Sequence, residues 1–134
     1  MSAIEPTTGN QRTIDGTASL TGVGLHSGEP CTVTIEPAAP GSGIRFARVD
    51  QAGSPEVRAD WRAITERQRR TALLNETCEV HTVEHLLSAL RGVGVDNVRV
   101  AVDAIELPGM DGSAVEYVAL IERAGIVEQP AARP

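Results

Sequence analysis

An α+β two-layer sandwich, a mainly antiparallel sheet with two helices on one face, is the fold class this sequence predicts. Three observations carry it. Several segments alternate apolar and polar residues with period two, as half-buried strands do. Val83-Glu84-His85-Leu86-Leu87-Ser88-Ala89-Leu90 instead sets Val83, Leu86, Leu87 and Leu90 at i, i+3, i+4 and i+7, the stripe of an amphipathic helix. Strands mostly precede helices, with Gly- and Pro-rich turns between them and no internal repeat.

Taken in order, the first ten residues are polar and loose, and Arg12 to Leu20 reads as a strand. A Gly-rich turn follows, Thr21-Gly22-Val23-Gly24-Leu25-His26-Ser27-Gly28; it lacks the lysine and the following helix of a phosphate loop. Cys31-Thr32-Val33-Thr34-Ile35-Glu36 and Gly43-Ile44-Arg45-Phe46-Ala47-Arg48-Val49 alternate as strands, and Arg70 to Leu74 adds a short one. The run around Trp61 is either a short helix or a loop. The helix from Thr82 ends near Arg91-Gly92-Val93-Gly94, where arginine suits the negative end of the macrodipole and glycine the cap. Asn97 to Val102 is another alternating strand. Asp111-Gly112 is a turn, and Ser113 with Glu116 forms a capping box opening a second helix, Ala114 to Ala124.

A chain of 134 residues suits one domain, expected over residues 12–128, with a flexible N-terminus at 1–11 and a linker-like tail at 129–134. Hydrophobic residues make up 41% but aromatics only 2%, so the core is built from Val, Leu, Ile and Ala. The net charge of −6 argues against a nucleic-acid partner or an anionic membrane surface. No stretch reads as an integral membrane segment, and Met1 to Pro6 lacks the basic and apolar regions of a signal peptide, which makes a cytoplasmic location the default. Cys31 and Cys78 lack CxxC spacing and read as reduced packing residues.

The chemistry concentrates in His81-Thr82-Val83-Glu84-His85. At about 100° per residue, His81, Glu84, His85 and Ser88 fall opposite the leucine stripe. Taken alone, His81-x-x-Glu84-His85 matches the inverzincin pattern, in which two histidines bind zinc and the glutamate acts as general base. A peptidase would need a third ligand from a larger scaffold.

Four blocks in order resemble something else. They are Thr21 to Gly28; Thr82-Val83-Glu84-His85-Leu86-Leu87-Ser88-Ala89-Leu90; Gly94-Val95-Asp96-Asn97; and Glu106-Leu107-Pro108-Gly109-Met110-Asp111-Gly112-Ser113-Ala114. Over about residues 12 to 129 the sequence resembles the N-terminal domain of the UDP-3-O-acyl-N-acetylglucosamine deacetylase (LpxC) family, zinc amidases of lipid A biosynthesis. The resemblance implies a ribosomal protein S5 domain 2-like fold, two such α+β domains packed with zinc between them, and a UDP-linked acylated aminosugar as substrate. Glu84 then matches the general base and His85 a zinc ligand. The family's second histidine ligand, its aspartate ligand and its acid histidine, in a His-Lys-x-x-x-Asp motif and a later histidine, lie in its C-terminal domain. One imidazole does not hold catalytic zinc, which takes three protein ligands, so the expectation is half a site. The other half would come from a separate C-terminal-domain chain, from a longer protein, or from a homodimer in which two His81–His85 pairs face each other, His81 serving as reserve ligand.

Other residues carry plainer readings. His26 could approach the site or a substrate acyl chain, or be a turn residue between glycines. Arg62, Arg67, Arg69 and Arg70 could meet a UDP phosphate or form a solvated face. A rival to the enzyme is a non-catalytic single-domain homologue that uses the same helix face to bind a partner chain or a nucleotide-sugar.

Overall fold

Residues 9–67, 70–110 and 114–134 are described by the structure, a computed structural model. They contain strands β1 (Asn10–Ile14), β2 (Ala18–Val23), β3 (Pro30–Pro37), β4 (Ile44–Arg48), β5 (Glu56–Arg58), β6 (Ile64–Arg67), β7 (Arg70–Leu74) and β8 (Glu79–His81). Helix α1 (Glu84–Val93), β9 (Val98–Val102), α2 (Val115–Ala124) and β10 (Ile126–Ala132) complete them. Five strands form one sheet in the order β2-β3-β9-β4-β5, antiparallel except where β4 and β9 run parallel. β6-β7-β8 make a second, antiparallel sheet, and β1 pairs with β10 in a third.

The period-two segments bury alternate residues as their pattern requires. Cys31, Val33 and Ile35 of β3, Val98, Val100 and Val102 of β9, and Phe46 of β4 join one core with Leu86 and Leu90 of α1 and Leu120 and Ile121 of α2. The α+β sandwich with mainly antiparallel strands and two helices is the predicted class. Its core is aliphatic apart from Phe46 and Tyr117, whose hydroxyl donates to the Pro108 carbonyl at 2.6 Å. On the outer face of β9, Arg99 pairs with Glu36 of β3 and Glu56 of β5. Cys31 and Cys78 are free and buried, and burial pushes the Cys31 thiol up to about 12, the state of an inert packing residue.

Several elements differ from the sequence reading. Arg12 to Leu20 is two strands, broken where Asp15 and Gly16 donate their amides to the Gly125 and Ala124 carbonyls. Asp-Gly is itself a turn dipeptide. Around Trp61 the chain turns and then enters β6. The tail does not fray through 129–132: β10 continues to Ala132 against β1, and Gln129 is buried. The capping box rests on Ser113, and the Asp111-Gly112 turn with it, outside the described residues; α2 follows an Ala114 N-cap.

The β1–β10 ribbon is fastened by Asn97. Its amide donates to Gln129 and Gln11, its Oδ1 accepts from the Gly43 amide, and its backbone carbonyl accepts from the Thr13 hydroxyl. A buried polar group with every partner satisfied is expensive to truncate, because its partners lose their bonds without regaining water. Asn97→Ala is therefore expected to lower the unfolding free energy by about 1–3 kcal/mol. Arg99→Ala, on a solvated face, should change it by less than about 1 kcal/mol. Urea denaturation of both variants checks the contrast.

Candidate active site at the start of the first helix

Helix α1 begins two residues later than the sequence suggests, and the reason lies at Thr82. This residue has φ of 59°, in the left-handed region, where a β-branched side chain is an outlier. The chain leaves β8 at His81, kinks at Thr82, and enters the helix with Val83 as N-cap and Glu84 as its first residue. Hydrogen bonds hold the kink on both sides. The Thr82 and Val83 amides both donate to the Thr71 carbonyl, at 2.8 and 3.3 Å. His81 is bridged to the segment around Glu106, its amide donating to the Ile105 carbonyl and its carbonyl accepting from the Leu107 amide.

His81 therefore does not share a helical face with His85. It ends a strand and is 9% exposed. Its Nδ1 lies 3.1 Å from the Arg70 Nε that donates to it, and its Nε2 lies 2.6 Å from Glu79 Oε2. The i, i+4 imidazole stack expected from the sequence is not formed, because the left-handed residue breaks the helical phase between the two histidines. The inverzincin arrangement loses its basis with it, as does the symmetric four-imidazole cluster.

Glu84 and His85 sit together in the first turn of α1, both half-buried. Glu84 Oε1 accepts from the Thr71 amide at 3.2 Å, and a carboxylate suits the positive end of the helix. The His85 ring has no hydrogen-bond partner among the described residues. Val83, Leu86, Ala89 and Leu90 anchor the opposite face in the core; Leu87 is only partly buried. Beside Glu84, but not His85, runs an open groove of about 450 Å³ lined by Ile64, Thr71, Glu84, Leu87, Ser88, Arg91 and Gly92. A larger cavity, about 740 Å³, lies at the other end of α1 among Arg12, Arg91, Asp96 and Arg133. It does not contain Glu84, so chemistry favours the smaller groove.

The Gly-rich turn is drawn against the same region by Glu106, a side chain 2% exposed that the sequence reading quoted but gave no role. Its Oε1 accepts from the His26 and Ser27 amides at 3.0 and 2.7 Å. Its Oε2 accepts from the Thr82 hydroxyl at 2.5 Å and lies 2.8 Å from His26 Nδ1. Gly24 and Gly109 permit this approach. A Cβ on Gly24 would land on the Glu106 carboxylate, and one on Gly109 on the Leu25 side chain. Burial would push the Glu106 pKa up, but the donors from Thr82, His26 and Ser27 outweigh it and hold the carboxyl down at about 2. The signal that could have found it is a lone acid between Ile105 and Leu107 in an otherwise apolar run.

The two members of the arginine cluster whose side chains are described, Arg62 and Arg70, do not converge. Arg62 lies over the ring of Trp61, which is 76% exposed, whereas Arg70 turns inward to His81. Arg69 and the side chain of Arg67 fall outside the described residues. Among the described residues no three His, Cys, Asp or Glu side chains come together as a metal site, and no helix is long and apolar enough to cross a membrane.

An α+β domain that presents a Glu-His pair from a helix start, braced by a Gly-rich turn, is what fold and site define. The sequence matches the profile of the UDP-3-O-acyl N-acetylglycosamine deacetylase family, LpxC, over residues 11–134, and the chain belongs to that family. It is 47% identical to the UDP-3-O-acyl-N-acetylglucosamine deacetylase of Myxococcus xanthus over 96% of this chain and 41% of that one. To the enzyme of the same name from Xanthomonas campestris it is 49% identical, over 92% of this chain and 41% of the relative. To that of Thermosynechococcus vestitus it is 44% identical, over 92% and 44%. The chain thus spans less than half the length of these relatives.

The Glu106 carboxyl titrates lower in the folded chain, at about 2, than its ordinary value of 4.5. Its contribution to stability is therefore complete above about 4.5 and is lost as the pH falls toward 2. Unfolding free energy measured across that window should fall with acid in the parent, and Glu106→Gln should flatten that limb.

Proposed function

We propose that this chain supplies the general base, Glu84, and one zinc ligand, His85, to the deacetylation of a UDP-linked 3-O-acyl-N-acetylglucosamine in lipid A biosynthesis. Membership of the family supports this reading, and the observation that carries it is a half-buried carboxylate at the mouth of a groove followed, in the same helical turn, by a half-buried imidazole without a hydrogen-bond partner among the described residues. The names of the relatives supply the substrate and the reaction.

The residues present do not by themselves fit a zinc ion. Catalytic zinc sites use three protein ligands, and the chain offers His85 with no second imidazole at hand, His81 being bonded at both nitrogens. The remaining ligands must come from another domain or chain, or from a second copy of this one.

What the chain contributes is proton chemistry and placement. Hydrolysis of an N-acetyl group needs water to attack the carbonyl carbon, and the attacking water must lose a proton. A carboxylate within about 2.6–3.2 Å of that water takes it. Glu84 is suited to this, since one oxygen is tied to the Thr71 amide, which fixes its rotamer, while the side chain remains half-exposed at the groove. The core anchorage of α1 through Leu86 and Leu90 keeps base and ligand at a fixed offset.

The reading is tested by measuring acetate release from the UDP-linked substrate with zinc, using the chain alone and the chain mixed with a C-terminal half from a family member. The complemented protein is expected to turn over. Glu84→Gln should lower kcat about 10²- to 10⁴-fold with KM unchanged, and His85→Ala should lose bound zinc. Equal rates for Glu84→Gln and the parent would remove the base assignment. Nucleotide-sugar binding without turnover in any combination would make the chain a binding module.

A further inference from the structure

Besides Glu84, the described chain contains a second carboxylate poised near the start of α1, and nothing in the proposed reaction uses it. Glu106 is buried, has no proton to donate, and meets four donor groups: two backbone amides, a hydroxyl and an imidazole nitrogen. Because an ionised carboxylate only accepts, His26 Nδ1 must carry the proton in this contact. The neutral ring then has Nε2 as its acceptor nitrogen. Metal-binding and acid–base histidines are oriented by carboxylates in the same way.

The partners of Glu106 are not scattered through the fold. They belong to the Gly-rich turn and to the single left-handed residue that separates β8 from α1. The other buried polar fasteners act elsewhere. Asn97 ties β1 and β10 to the loop before β4, and Arg48 joins Asp50 to the Glu79 carbonyl. With the Thr82 amide bonded to Thr71 and its hydroxyl to Glu106, the kink is held from two directions. Rotation of that one residue would redirect everything after it, beginning with Glu84 and His85.

We infer that Glu106 is a positioning residue, whose carboxylate locks the Thr82 kink and the His26 tautomer in one bonded frame and so sets the direction in which α1 presents Glu84 and His85. The part concerning catalysis rests on the reading of Glu84 and His85 given above; the geometric part does not.

Two measurements separate these parts. The first uses the chain as it is, without metal or substrate: long-range 1H–15N spectra of the imidazoles, and amide exchange at Thr82, Val83 and Leu87, whose amides bond to Thr71 and Val83. The parent should show His26 as the Nδ1–H tautomer. Glu106→Gln, which places an NH2 where an oxygen accepted, should shift the proton to Nε2. Exchange at the three amides should quicken at least about tenfold in Glu106→Gln and Thr82→Ala, with β3 and β9 unchanged, because local opening is independent of the core. Thr82→Ser, which keeps the hydroxyl, should behave as the parent. An unchanged tautomer, or protection lost equally across β3, β9 and α1, would overturn the inference and leave Glu106 as a general fastener. The second measurement is kinetics of the complemented deacetylase. Glu106→Gln and Thr82→Ala should lower kcat about 10- to 100-fold through misplacement, with KM and zinc content unchanged and Thr82→Ser restoring the rate; a fall in KM and kcat together, or none, would overturn the catalytic part. Spectra as expected with no turnover in any complemented protein, parent included, would refute the functional reading and not the frame.

Discussion

The carboxylate of Glu106 is the interaction on which the arrangement of this molecule turns. A charge taken out of water is costly unless hydrogen-bond donors replace the solvent around it. Here the donors come from two segments far apart in sequence, residues 26–27 and residue 82, and meet at residue 106. Satisfying the charge therefore requires the turn, the kink and the bridged segment to be in place together. Gly24 and Gly109 follow from the same demand, because the turn reaches the carboxylate only where no Cβ intervenes.

The rest of the architecture holds that frame steady. The valines of β9 and the leucines of α1 and α2 make a core with little aromatic content, so shape must come from many small contacts rather than a few large rings. Aliphatic side chains in such interiors pack densely and settle into few rotamers. One consequence is that α1 has little freedom to slide: Leu86 and Leu90 are fully buried behind Glu84 and His85. Position along the helix is set by packing, and direction at its start by hydrogen bonds.

Most of the fold could be read from the sequence because its strongest signals are periodic. Alternation in 31–36 and 97–102 and the leucine stripe of 83–90 answer to burial on one face, and burial decides the outcome. The misreadings fall where a single residue or a distant partner decides instead. Nothing in the composition of His81 to His85 announces a left-handed threonine, and without it the two histidines look like neighbours on a helix. The segment 129–132 looks polar and Pro-containing, yet Gln129 finds its partners in Asn97 and the Ala38 carbonyl, more than thirty and ninety residues away respectively. Glu84 and His85 stand out in the sequence as candidates because they lie opposite an apolar stripe; Glu106 shows there only as an acid in an apolar run, because its importance lies in what it bonds, and bonds across 24 and 80 residues are not written in the local pattern.

The pairing of β1 with β10 sets Asn10 opposite Ala132. A unit whose entry and exit lie side by side can be spliced as a cassette: a second copy added in tandem starts where the first one leaves off, without a long connection crossing either surface. Such a unit can also be cut in an exposed loop and rejoined through its old ends with its packing order intact. The ribbon thus makes the domain topologically modular, a property that lends itself to duplication and to circular permutation alike.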